Sequence, residues 1–148
     1  MARVFEGLAQ FSRFVESLAV VSAVVPSKTV EDVALLGFGR ALLMYGDSTK
    51  LRSLTPATQA ERVSLGFTPN DPLKRTGGLQ SELEFEHSGD EAGYGSPDPI
   101  QLYHEVGYVN ARTGQLVEPR PLLRISAQET AAEGWVLVQA AAAKMVGK

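Results

Sequence analysis

The chain predicts an α+β domain made of N-terminal helices, a small antiparallel β-sheet built on a hairpin, and a C-terminal helix. Three stretches carry that expectation. Apolar residues recur at helical spacing near the amino terminus, hydrophobic and acidic residues alternate from Leu79 to His87, and an alanine-rich run follows Pro121.

Val4, Leu8, Phe11, Val15 and Leu18 fall on one stripe of a helix, which the pattern places over Arg3 to Val24, with Pro26 ending it. Thr29 then stands as N-cap, with Asp32 in a capping-box position, for a second helix over Val30 to Tyr45 that stops at Gly46. That helix is apolar nearly all round, so it is expected either at the centre of the fold or beneath a neighbouring subunit; Gly37 and Gly39 weaken it or admit a close approach. Thr55 as N-cap and Pro56 at the first position predict a short helix to Leu65. From Leu79 to His87, Leu79, Ser81, Leu83, Phe85 and His87 point one way. Gln80, Glu82, Glu84 and Glu86 point the other, which predicts a half-buried strand with an acidic outer face. Ser88 to Asp90 turns the chain into a partner strand over Glu91 to Ser96. Asp98 to Tyr108 fits a helical turn or a strand equally, and Asn110 to Gly114 is loop. A last helix runs from Leu122 to Met145 with Trp135 as its large anchor.

Composition bounds the function. With 44% hydrophobic and 21% charged residues, positions 1–148 suit a single domain with one core. A formal net charge of -3 gives no electrostatic excess for wrapping nucleic acid. Cysteine is absent, which excludes disulfides and thiolate metal ligands. The run Leu18 to Val25 is shorter than the roughly 18–20 residues of a membrane span, and Glu6, Gln10, Arg13 and Glu16 interrupt any signal-peptide pattern. A cytosolic chain without a membrane segment is the expectation.

Two blocks add a resemblance. The segment LTPATQAERVSLGFTPNDPLKRTGGL, through Thr55, Thr58, Pro72, Leu73, Thr76, Gly77 and Leu79, resembles the middle of the tailed-bacteriophage virion-morphogenesis and tail-completion (neck, head-tail connector) proteins. The segment YHEVGYVNARTGQLVEPRPLLR is similar to the family's next element, through Tyr103, His104, Glu105, Gly107, Pro119, Arg120, Pro121, Leu122 and Leu123. Together they span Leu54 to Arg124, about half the chain; Leu122 stands where the family usually carries phenylalanine. The resemblance implies a structural virion protein, not an enzyme, with no cofactor. It implies assembly in the host bacterial cytoplasm as a homo-oligomeric ring, a hexamer or dodecamer, at the head-tail junction. The ring's neighbours would be a portal, adaptor or stopper protein on one side and a tail terminator or tail tube protein on the other, with DNA passing through the lumen unbound.

Candidate subunit or partner contacts under this reading are Thr76, Gly77, Leu79, Glu82, Glu84, Glu86, Tyr103, Glu105, Arg120, Leu122 and Arg124. Gly77 and Gly78 would allow a sharp bend into the strand. Pro119 and Pro121 would clamp Arg120 outward, where its planar fork suits a carboxylate such as those of the acidic stripe. The stripe could instead repel phosphates along a DNA channel, or be a solvated face. Lys50, Arg52, Arg62, Lys74 and Arg75 gather positive charge that could meet DNA or an acidic ring, or simply be solvated. A small hydrolase using His104 and Glu105 is the alternative from a different class, and a DNA-binding adaptor is another. Adjacent residues diverge on either a helix or a strand, so such a pair would need further partners.

Overall fold

The computed structural model describes residues 25–146, in an α+β arrangement of helices, two small antiparallel ladders and a long C-terminal helix. The predicted helix over Arg3 to Val24 lies outside the described residues. Helix α1 (Ser27–Met44) starts two residues before the predicted Thr29 cap. Pro26 occupies the N-cap without a side-chain bond, and its carbonyl accepts from Thr29 and Val30. Asp32 does not close a capping box, because the helix starts ahead of Thr29 and leaves Asp32 beyond its first turn, where it pairs with Lys28 at 2.6 Å. The buried residues of α1 are Gly37, Ala41 and Met44, while Leu43 is 82% exposed, so the helix is covered within the subunit on some sides and open on one.

Helix α2 (Pro56–Ser64) matches its prediction: Thr55 Oγ1 accepts from the Thr58 amide at 3.3 Å, and proline takes the first position. The strand expected from Leu79 begins later. Gly78–Ser81 form a helical turn, α3, and only Glu84–Ser88 are strand β1. The alternating pattern is ambiguous here because Leu79 and Leu83, four apart, also share one side of a helical turn. Gln80 Nε2 donating to the Leu42 carbonyl at 2.9 Å and Ser81 Oγ donating to the Gly78 carbonyl at 2.7 Å hold the turn.

Strand β2 (Glu91–Gly95) pairs antiparallel with β1, Phe85 opposite Tyr94 and Glu84 opposite Gly95, through a two-residue turn with Gly89 at φ 60°. Helix α4 (Pro99–Val106) resolves the ambiguous segment as helix, because Asp98 caps the Ile100 amide at 2.9 Å. Two further strands, β3 (Tyr108–Val109) and β4 (Leu116–Val117), flank the expected loop and pair antiparallel. Helix α5 (Leu122–Val146) is the last element of the described residues.

Helix α1 packs along α5 and carries the β1–β2 hairpin on another side. The core joins Ala41, Met44, Tyr45, Leu51, Leu83 and Leu122, with Phe38 and Tyr94 packed against it. The α5 contact face is Leu122, Ser126, Thr130 and Gly134, buried at intervals of four. Trp135 is not the predicted anchor; it is 55% exposed. Close helix approach favours small residues, and a Cβ on Gly134 would sit 2.8 Å from Val33 Cγ1.

Candidate functional site

The second motif block folds into a polar network that joins three helices. Gln101 is fully buried, accepts from Tyr45 Oη at 2.8 Å and donates to Glu105 Oε1 at 3.1 Å. Glu105 in turn accepts from the amides of Leu123 and Arg124 at 2.7 and 3.4 Å. Burial raises the Glu105 pKa, and the bonds from Leu123, Arg124 and Gln101 oppose that rise. Burial, with the Glu105 charge behind it, pushes Tyr45 up to about 12.

His104 faces elsewhere. Its ring meets Tyr108 edge-on at 5.8 Å, its Nδ1 is buried without a partner, and burial together with the Arg120 charge lowers its pKa. The two neighbours therefore share no proton path. Among the described residues no group of three acidic or histidine side chains gathers as metal ligands, and no helix is long and apolar enough to cross a membrane.

Arg120 is the clearest correction. It is buried, not displayed: Nε donates to the Arg52 carbonyl at 2.9 Å and Nη2 to that of Ser53 at 3.3 Å. The prolines do make a stiff elbow, but its outer side is covered by the 52–53 loop, whose carbonyls need donors. Arg120 is thus unavailable to the acidic stripe. Leu122 is fully enclosed in the core and Glu105 is tied to α5, so neither offers a surface to a neighbour. Arg124 and Tyr103 remain exposed.

Thr76 is exposed and its Oγ1 accepts from Gly78 at 3.4 Å; Gly77 has φ 86°; Leu79 packs half-buried against the core. The bend that Gly77 permits leads into α3, not directly into the strand. Thr76 to Leu79 border a cleft of about 210 Å³ that also takes in Arg62, Leu73, Lys74, Arg75 and His104. Arg62 was expected among solvated cations and is instead buried, donating to the Asp71 and Lys74 carbonyls at 2.7 and 2.6 Å. Leu73 holds φ 60° beside it, a conformation that a non-glycine residue adopts only when its surroundings impose it. Of the other predicted cations, Lys50 pairs with Glu129 at 2.5 Å and Arg52 with Glu118 at 3.5 Å. Lys74 and Arg75 make no ion pair among the described residues.

Glu84 and Glu86 are exposed on β1 as the alternation predicted, and Glu82 is exposed at the end of α3. Gln80 of the predicted outer set is instead half-buried, and Ser81 and His87 of the inner set are exposed. Glu84 and Glu86 face Gly95 and Gly93 across the ladder, so no side chain stands directly opposite either, and Glu91, opposite Ser88, adds a third carboxylate to the same surface. Gln101 was not singled out by polarity or motif, and only its burial and partners give it weight; Gly37, expected to admit a close approach, receives the Tyr94 ring, which would lie 2.5 Å from an added Cβ.

Compared with known protein families, curated proteins and solved structures, the chain matches none.

Proposed function

We propose that this chain is a structural subunit of the phage head-tail junction, assembling into a homo-oligomeric ring of six or twelve copies that completes the neck or tail end. One observation carries the reading beyond the resemblance of residues 54–124. Large apolar side chains on α4 and the β3–β4 ladder stay outside: Leu102 is 59% exposed, Val106 66% and Leu116 65%, with Ile100, Tyr103 and Val109 beside them in sequence. Exposed apolar surface of this kind marks a protein contact, and in a ring each subunit supplies it to its neighbours.

The ring would sit in the virion between a portal, adaptor or stopper layer and a tail terminator or tail tube layer, with DNA crossing its lumen unbound. An enzymatic reading on His104 and Glu105 draws no support from the geometry, since the carboxylate is held by α5 amides. Phage lacking the gene should accumulate heads and tails that do not join, and native mass measurement should find the chain in multiples. Joined particles without the protein would overturn the proposal, as would a purified chain that turns over a substrate.

A further inference from the structure

We infer that the cleft bordered by Lys74 and Arg75 receives the acidic hairpin edge, Glu84 and Glu86, of a second copy of this chain, head to tail. The inference rests on the ring reading above and adds a charged contact to the apolar one on α4 and the β3–β4 ladder.

The hairpin has two unlike faces. Phe85 and Tyr94 lie against α1, with ring centroids 6.0 and 6.5 Å from that of Phe38. On the other face, which carries Ser88 and Glu91 at the turn end, Glu84 and Glu86 stand opposite glycine, and a Cβ added at Gly93 or Gly95 would meet nothing within 4 Å. A strand surface stripped to glycine lets another surface come close. Its glutamates make no ion pair among the described residues.

The cleft has the opposite sign and is held in shape. Arg62 staples the 71–75 loop through two backbone carbonyls, borders the cleft and is itself 6% exposed, with a buried Nε that has no partner. The Arg75 guanidinium lies 5.0 Å over the Phe67 ring, which limits its freedom before any partner arrives. Lys74 and Arg75 are exposed.

Two surfaces that complement each other but sit on different elements of one subunit generate a heterologous contact, which repeats until the rotation closes. Equal charge keeps two hairpin edges apart, which disfavours the competing strand-to-strand pairing.

The full-length chain and two variants, E84K/E86K and K74E/R75E, test this by native mass measurement and sedimentation, with circular dichroism as the fold check. All four positions are exposed, so each variant should fold. Each alone should associate about two orders of magnitude more weakly, because like charges meet at every contact. Mixed in equal amounts, the two should assemble again in alternation, since each restores the other's missing sign. Variants that assemble alone as the wild type does, or a mixture that stays apart while the wild type assembles, would overturn the contact and leave the ring reading standing. A wild-type chain that is monomeric in solution and forms no ring in imaged particles would overturn both.

Discussion

Glu105, near the end of α4, caps α5 from outside: its carboxylate accepts from the Leu123 amide at 2.7 Å. Pro121 directly precedes α5 and has no side-chain acceptor for the first free amides, so a neighbouring helix supplies one. The negative charge also lies at the positive end of the α5 dipole. The cap therefore locks the angle between the two helices as well as the start of one.

Replacing Glu105 with alanine is expected to destabilise the chain by about 1–3 kcal/mol, because two helix amides and Gln101 lose their acceptor. Glu105→Gln should lose less, since its amide oxygen can still accept from Leu123. Urea unfolding with amide exchange at Leu123 checks this; equal losses for both variants would contradict it.

Burial and the Arg120 charge hold His104 below its ordinary value of 6.5 in the folded chain. Between the folded and unfolded values the unfolded state carries more protons, so stability rises with pH there. The histidine's contribution is fully present above about 6.5 and is lost as pH falls through the folded value. Glu105, with its pKa raised, works with the opposite sign, so the difference between wild type and His104→Phe is the informative quantity. The variant's urea midpoint should fall less than the wild type's between about pH 7 and pH 5. Parallel curves would remove His104 from the account.

Gly37→Ala is expected to destabilise by about 1–3 kcal/mol by overpacking, against the gain of about 1 kcal/mol that alanine brings in an open helix. The added Cβ would lie 2.5 Å from Tyr94 Cε1, and the ring cannot swing freely because Tyr94 Oη bonds Ser126 Oγ at 2.9 Å. A double-mutant cycle with Tyr94→Ala should show coupling. Gly39→Ala, with open space around it, is the control that should not destabilise.

Arg120→Met should weaken the free subunit itself, by about 1–3 kcal/mol, because the Arg52 and Ser53 carbonyls lose their donors. Thermal unfolding of the unassembled chain reads this directly. A variant with normal subunit stability and a defect confined to assembly would return Arg120 to the interface.

Local signals served well where one residue satisfies a nearby backbone need. Thr55 with Pro56 marked the start of α2, and the glycine turn marked the hairpin. They failed where two periodicities coincide, as at Leu79 and Leu83, and where a helix starts ahead of its expected cap, as α1 does before Thr29. Of the candidate contacts, the exposed glutamates were legible from alternation alone. Arg120, Leu122 and Glu105 were legible as positions of consequence but not in their direction, because burial depends on loops distant in sequence.

The amino-acid order by itself determined the helical and extended periodicities, the hairpin turn, the absence of thiol chemistry and the acidic face of β1. Each of these depends on residues within a few positions of one another, so short-range geometry suffices. Tertiary structure alone decided that Arg120 turns inward, that Glu105 caps a different helix, and that Lys74 and Arg75 border one cleft with Arg62. Those outcomes follow from which unpaired carbonyls and amides meet when distant segments pack, and buried polar groups must find partners wherever packing brings them.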